Sequence, residues 1–196
     1  GTLYSLQELE ELSAVCRERD LKLFIDGARL AYALASPAND VTLADLARLT
    51  DVFYIGGTKC GSLFGEAVVI PERGSIRQFV TQMKQHGALL AKGRLLGVQF
   101  EALFEDGLYL TIGEPAVTAT ARIREALKRA VYVVTMDSPT NLTFVALDQA
   151  GHERLSDKVR YSIWETLPDG RYLARIGTSW ATPEEDVVAF EQALAR

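Results

Sequence analysis

Two short stretches bring together residue types that could do chemistry. The apolar run Leu21–Ile25 ends in Asp26-Gly27-Ala28-Arg29, and the apolar run from Val52 ends in Gly56-Gly57-Thr58-Lys59. Both place polar groups at the carboxyl end of an expected strand, the edge where open α/β sheets take ligands. A lysine fixed in a glycine-lined turn can serve as a nucleophile. Glycines beside it let a flat ligand and the backbone come close. An aspartate at a neighbouring strand end can hold a protonated ring nitrogen by a charge-assisted hydrogen bond. Carboxylate, amine and guanidinium are the protein groups that pyridoxal phosphate chemistry requires. On the residues alone, plainer readings stand beside this one. Asp-Gly after a strand serves as a turn, Lys59 as a solvated lysine, and Arg29 as the partner of a surface carboxylate. Cys60 reads as a small neighbour of Lys59. His86 and His152 are isolated and read as structural or solvent-facing.

The elements that would position these groups follow from local signals. Ser5-Leu6-Gln7-Glu8 is a capping box ahead of a helix over residues 6–20, with Leu6, Leu9, Leu12, Val15 and Cys16 at helical spacing. A second helix is expected over Thr42–Leu49, a strand over Val52–Gly56 and a third strand in EAVVIP, closed by Pro71. Short apolar strands alternating with helices predict a parallel α/β sheet covered on both faces. A long helical region, broken at Gly74 and Gly87, is expected over residues 72–105. Beyond it the pattern becomes a helix in TARIREALKRA and a hairpin of VYVVTMD and LTFVALD about Ser138-Pro139-Thr140-Asn141. A further strand lies in RYLARIGTSW. Thr182-Pro183-Glu184-Glu185 then reads as a helix start, with N-cap, Pro at N1 and Glu at N3.

The totals set bounds on function. The 196 residues suffice for one large domain or two small ones, and 48% hydrophobic residues allow a sizeable core. A net charge of −5 argues against nucleic acid or an anionic membrane as partner. Two cysteines without metal-type spacing predict a reducing, cytoplasmic setting and no metal. No apolar run approaches a membrane span and no signal peptide is evident. The chain opens with GTLYS rather than Met, which reads as a cut end.

The strings GTLYS, LFIDGARL, DVFYIGGTKCGSLFGEAVV and LLAKGRLLGVQFEALFEDGLY resemble the threonine aldolase and β-eliminating lyase group of fold-type-I pyridoxal phosphate enzymes. The resemblance runs the length of the chain and implies its C-terminal portion. Residues 1–106 would be the second part of the cofactor domain, with a mostly parallel sheet and the long linking helix. Residues 107–196 would be a small α+β domain. It implies that Lys59 carries the cofactor as an imine and that Asp26 binds the pyridinium nitrogen. It places Arg29 toward the cofactor and the substrate carboxylate, Arg175 on the α-carboxylate and Thr58 near the phosphate. Lys84, Lys92 and Arg94 are candidates for reaching the site of a neighbouring subunit in a homodimer or homotetramer. Members of the group carry a long stretch ahead of the region matching GTLYS, holding the phosphate loop and a ring-stacking residue.

The function this implies is cleavage of the Cα–Cβ bond of threonine or allo-threonine to glycine and an aldehyde. β-Elimination or transamination on the same cofactor, and an inactive fragment of such an enzyme, are the alternatives. A nucleotide-binding α/β domain fits poorly, because no G-x-G-x-x-G follows the first strand.

Overall fold

A computed structural model describes residues 2–195. The chain divides into two compact units. The first holds Tyr4–Leu34 and Asn39–Thr111, and the second Ala35–Ala38 and the residues from Ile112 onward.

In the first unit, α1 (Leu6–Glu18) begins at the expected capping box: the Ser5 hydroxyl accepts from the Glu8 N–H, and the Glu8 carboxylate accepts from the Ser5 N–H at 2.7 Å. The apolar stripe of α1 buries Leu9 and Ser13, and the Ser13 hydroxyl donates to the Leu49 carbonyl at 2.7 Å. Strand β1 (Phe24–Ile25) leads through Asp26-Gly27-Ala28-Arg29 into α2 (Leu30–Leu34). Helix α3 (Leu43–Leu49) is capped by Thr42 and Asp45 in a second capping box. Strand β2 (Val52–Gly56) follows, then β3 (Glu66–Val69). The sequence reading makes this sheet mostly parallel. Only β1 and β2 are; β3 runs antiparallel to β2, with Gly56 opposite Glu66. The 57–65 connection is too short for a crossover, which takes a dozen or more residues. Burial on both faces is corrected too. Phe53 and Ile55 enter the core with Leu30, Tyr32, Leu46 and Leu103, while Phe24 and Val68 are more than half exposed on the other face.

The expected 72–105 helix is two helices, α4 (Phe79–Gln85) and α5 (Arg94–Phe104). Gly87, at φ +70°, ends α4 as its sequence suggests. A short α6 (Leu108–Thr111) closes the unit, and its Tyr109 is fully buried.

The second unit packs α7 (Glu114–Arg129) and a C-terminal helix on one face of an antiparallel sheet. Its strands are β4 (Val133–Val134), β5 (Leu142–Leu147), β6 (Ser162–Thr166) and β7 (Tyr172–Gly177), in the order β4-β5-β7-β6. Between β5 and β6 lies α8 (Gln149–Ser156); α9 (Glu184–Ala195) ends the unit. Ile123, Leu127, Val145, Leu147, Ala174 and Val187 form its core. The expected β4–β5 hairpin is present, but its first strand is shorter than VYVVTMD. Val131 instead finishes α7 in the left-handed region at φ +64°. At the start of α9, Thr182 does not bond forward into the helix as expected. Its hydroxyl accepts from the Ser179 N–H behind it at 2.8 Å.

Candidate active site

The two strand exits are locked together by backbone contact. Gly56 N–H donates to the Gly27 carbonyl at 2.9 Å. A Cβ on Gly27 would stand 1.7 Å from the Tyr54 carbonyl oxygen, and one on Gly56 2.4 Å from that of Ala28. Only glycine allows the chains to cross this closely. The carboxyl ends of β1 and β2 therefore sit side by side, with Asp26 and Arg29 on one exit and Thr58 and Lys59 on the other.

The turn carrying Lys59 is held from several sides. The Tyr32 hydroxyl of α2 donates to the Lys59 carbonyl. Buried Tyr109 of α6 donates to the Gly56 carbonyl at 2.9 Å. Glu66, at the start of β3, accepts from the Gly57 N–H at 2.6 Å and from the Thr58 hydroxyl at 2.9 Å. Gln99 of α5 accepts from the Leu63 N–H at 2.8 Å and fixes the loop beyond the turn. The backbone of the turn is thus anchored while the Lys59 side chain is exposed. Among the described residues Lys59 forms no ion pair, so its amine is available.

Asp26 is the electrostatic centre of the site. Its carboxyl lies below the usual carboxylate range. The neighbouring Tyr54 side chain is the largest cause, then the Ala28 N–H at 3.0 Å, and the charges of Lys59 and Arg29 act in the same direction. The amine of Lys59 and the carboxylate of Asp26 therefore share one field, as the two sheet edges suggest. Cys60 is fully buried, and burial pushes its thiol up to about 11, so it stays a neutral neighbour.

Thr58 spends its hydroxyl on Glu66, so a phosphate contact there would compete with that bond. Lys84 lies exposed on α4, and Lys92 and Arg94 are exposed at the start of α5; none of them forms an ion pair among the described residues. Arg175 belongs to the second unit, on β7, with its guanidinium 4.7 Å above the Trp164 ring. His152 bonds the Tyr161 hydroxyl at 2.7 Å, a structural contact in the same unit.

Sequence reasoning missed Tyr54 and Glu66. Tyr54 carried a signal, since it has the same strand parity as Val52 and faces the side on which Asp26 emerges. Glu66 carried none, because its role depends on the antiparallel return of β3. A cavity of about 560 Å³ lies at the opposite, amino ends of β1 and β2, lined by Arg17, Lys22, Leu23, Arg48 and Asp51 among others. Its cations are already engaged: Lys22 with Asp51 at 3.1 Å, Arg48 with Glu10 at 2.9 Å, and Arg17 with the Arg48 carbonyl at 2.8 Å.

The donor set at the strand exits fits pyridoxal phosphate at two of its positions. Asp26 is an ionised carboxylate able to accept from a ring N–H, and Lys59 is an accessible primary amine. No helix among the described residues is long and apolar enough to cross a membrane, and no cluster of three or more His, Cys, Asp or Glu there could hold a metal.

Residues 1–154 match the beta-eliminating lyase family. Two curated relatives called Low specificity L-threonine aldolase come from Pseudomonas sp. (strain NCIMB 10558) and Pseudomonas aeruginosa. Each is 32% identical over 193 residues, covering 95% of this chain and 54% of the relative. The chain thus spans about half the length of the curated relatives it matches. A solved structure of Leishmania major threonine aldolase is 44% identical with a TM-score of 0.93, covering all of this chain and 57% of that one. Sphingomonas wittichii serine palmitoyltransferase, at 15% identity and a TM-score of 0.64, shares the fold alone.

Proposed function

The chain belongs to the beta-eliminating lyase family, and from that premise we propose that it is part of a pyridoxal 5′-phosphate-dependent aldehyde lyase cleaving threonine or allo-threonine to glycine and acetaldehyde. The observation that carries this reading is the Asp26 carboxylate lying in the field of the Lys59 amine at adjoining strand exits. The names of the 32% and 44% identical proteins support the choice of reaction.

Lys59 and Asp26 would hold the cofactor, Lys59 covalently through Nζ, with Arg29 beside them. Bound there, pyridoxal phosphate supplies an electron sink for charge developing at the substrate Cα. Asp26 keeps a proton on the ring nitrogen by accepting its hydrogen bond, and that bond is charge-assisted. Arg29 offers a planar fork of N–H donors to an α-carboxylate. Arg175, its guanidinium 4.7 Å from the Trp164 ring centre, carries the same fork of donors. Lys59, when free, takes or returns a proton at Cα. β-Elimination is the second reading, because the matched family is named for it; the same Asp and Lys would serve both.

Association into a homodimer or homotetramer is part of the proposal. Leu89, Leu90, Leu95 and Val98 are each about half exposed on the segment that carries Lys92 and Arg94, an apolar surface suited to a second copy. A reducing, cytoplasmic setting suits the two free cysteines.

Borohydride reduction in the presence of pyridoxal phosphate, followed by peptide mapping, should place the adduct on Lys59. In a separate, unreduced sample loaded with pyridoxal phosphate, threonine should yield glycine and acetaldehyde. 2-Oxobutanoate and ammonia in their place would select elimination. An unmodified Lys59 together with no turnover of any amino acid would overturn the reading.

A further inference from the structure

We propose that Glu66 is a positioning residue for Lys59: its carboxylate bridges the Gly57 N–H and the Thr58 hydroxyl, and this clamp aims the lysine amine at the cofactor. The inference deepens the reading above and rests on Lys59 as the residue that holds pyridoxal phosphate.

The clamp follows from the return of the chain into β3. Gly56 at the end of β2 stands opposite Glu66 at the start of β3, so strand pairing brings the Glu66 side chain against the first residues of the connection. Oε2 accepts from the Gly57 N–H at 2.6 Å and Oε1 from the Thr58 hydroxyl at 2.9 Å. Bonds to an ionised acceptor are roughly twice as strong as neutral ones. The approach to Glu66 is itself fixed. Gly65 lies at φ +90°, and a Cβ there would stand 2.2 Å from the Leu96 side chain of α5.

Peptide planes on either side of Lys59 are each held at both ends. In the plane joining Gly56 to Gly57, the carbonyl accepts from the Tyr109 hydroxyl at 2.9 Å and the N–H donates to Glu66. In the plane joining Lys59 to Cys60, the carbonyl accepts from the Tyr32 hydroxyl and the N–H donates to the Gly57 carbonyl at 2.9 Å. Between the two planes, Glu66 turns the Thr58 hydroxyl toward β3. The Cα–Cβ direction of Lys59 is thereby set, while its side chain stays exposed. Without the carboxylate, the first plane keeps only its Tyr109 bond and Thr58 is released. An amine adds to an aldehyde only at close approach, so a loosened base lowers the fraction of productive geometries.

The wild type, Glu66→Ala, Glu66→Gln, Thr58→Val and the variant carrying both Glu66→Ala and Thr58→Val are incubated with limiting pyridoxal phosphate. The amine adds to the aldehyde carbon, water leaves, and borohydride then reduces the C=N bond to a secondary amine. Peptide mapping gives the adduct on Lys59 relative to that on Lys158, an exposed lysine of the second unit. Glu66→Ala should lower this ratio on the order of tenfold, the scale of a lost bond to a charged group. Thr58→Val should lower it less, and should change nothing further in Glu66→Ala. Glu66→Gln should retain most of it, because a glutamine carbonyl accepts from Gly57 and its amide donates to Thr58. An unchanged ratio in Glu66→Ala, or a loss in Glu66→Gln as large as in Glu66→Ala, overturns the proposal and leaves the functional reading standing. Hydrogen exchange at the Gly57 amide, followed without cofactor, should quicken on the order of tenfold in Glu66→Ala. If the wild type forms no Lys59 adduct, the functional reading fails and exchange alone decides the clamp: an unchanged rate overturns it.

Discussion

At the scale of single residues, the site depends on what is absent as much as on what is present. Gly27 and Gly56 carry no side chain because the backbone of the opposite exit occupies that space. Substituting Gly27 by Ala would drive its Cβ to 1.7 Å from the Tyr54 carbonyl oxygen, a backbone atom that cannot swing aside. We expect Gly27→Ala to destabilise the chain on the order of 3 kcal/mol, read as a lower urea midpoint. Gly97, with nothing within 4 Å of its added Cβ, is the matched control. An unchanged midpoint for Gly27→Ala would show that the exits do not cross as tightly as described. Both glycines were legible in the sequence as punctuation after apolar runs. The atoms they make room for were not, because those belong to the other strand.

At the scale of elements, helix ends show how local chemistry and tertiary demand divide the work. Helices α1, α4 and α7 each end with paired backbone bonds: the Leu21 N–H donates to the Cys16 carbonyl, Ala88 to Met83 and Tyr132 to Leu127. The residue ahead of each of these donors is left-handed, namely Asp20, Gly87 and Val131. Glycine suits this position and aspartate tolerates it, but a β-branched valine is strained there. Val131 is also 87% exposed, so its side chain contributes little packing. Val131→Gly should therefore raise stability by about 1 kcal/mol, seen as a higher melting temperature. A fall would mean that the valine packs against something in solution. Val131-Tyr132-Val133-Val134 reads as a strand by composition; the turn is imposed by the bonds that finish α7. Helix starts were more legible. The boxes at Ser5 and Thr42 lie within four residues and work wherever the helix is placed.

At the scale of the whole molecule, acid should unfold this chain through its carboxylates. Asp26, Asp45, Asp51, Glu8, Glu125, Asp169 and Glu191 all lie below their ordinary range, held by hydrogen bonds or paired cations. For each, the unfolded chain takes up a proton at a higher pH than the folded chain. Their stabilisation is therefore complete above the ordinary carboxylate range, about pH 4 to 5, and disappears as pH falls below it. The melting temperature should be flat between pH 7 and 5 and drop steadily toward pH 3. A melting temperature that holds or rises on acidification would contradict these pairings.

The sequence by itself determined the two strand exits, the glycines that shape them and the starts of α1 and α3. Each is written in contiguous residues whose propensities and hydrogen bonds are local. Only the tertiary structure decided that β3 returns antiparallel, so that Glu66 reaches back to grip the lysine turn. It also decided that parallel register brings Tyr54 beside Asp26. Those contacts join residues from different strands, and their energy depends on register and loop length, which no short window of sequence contains.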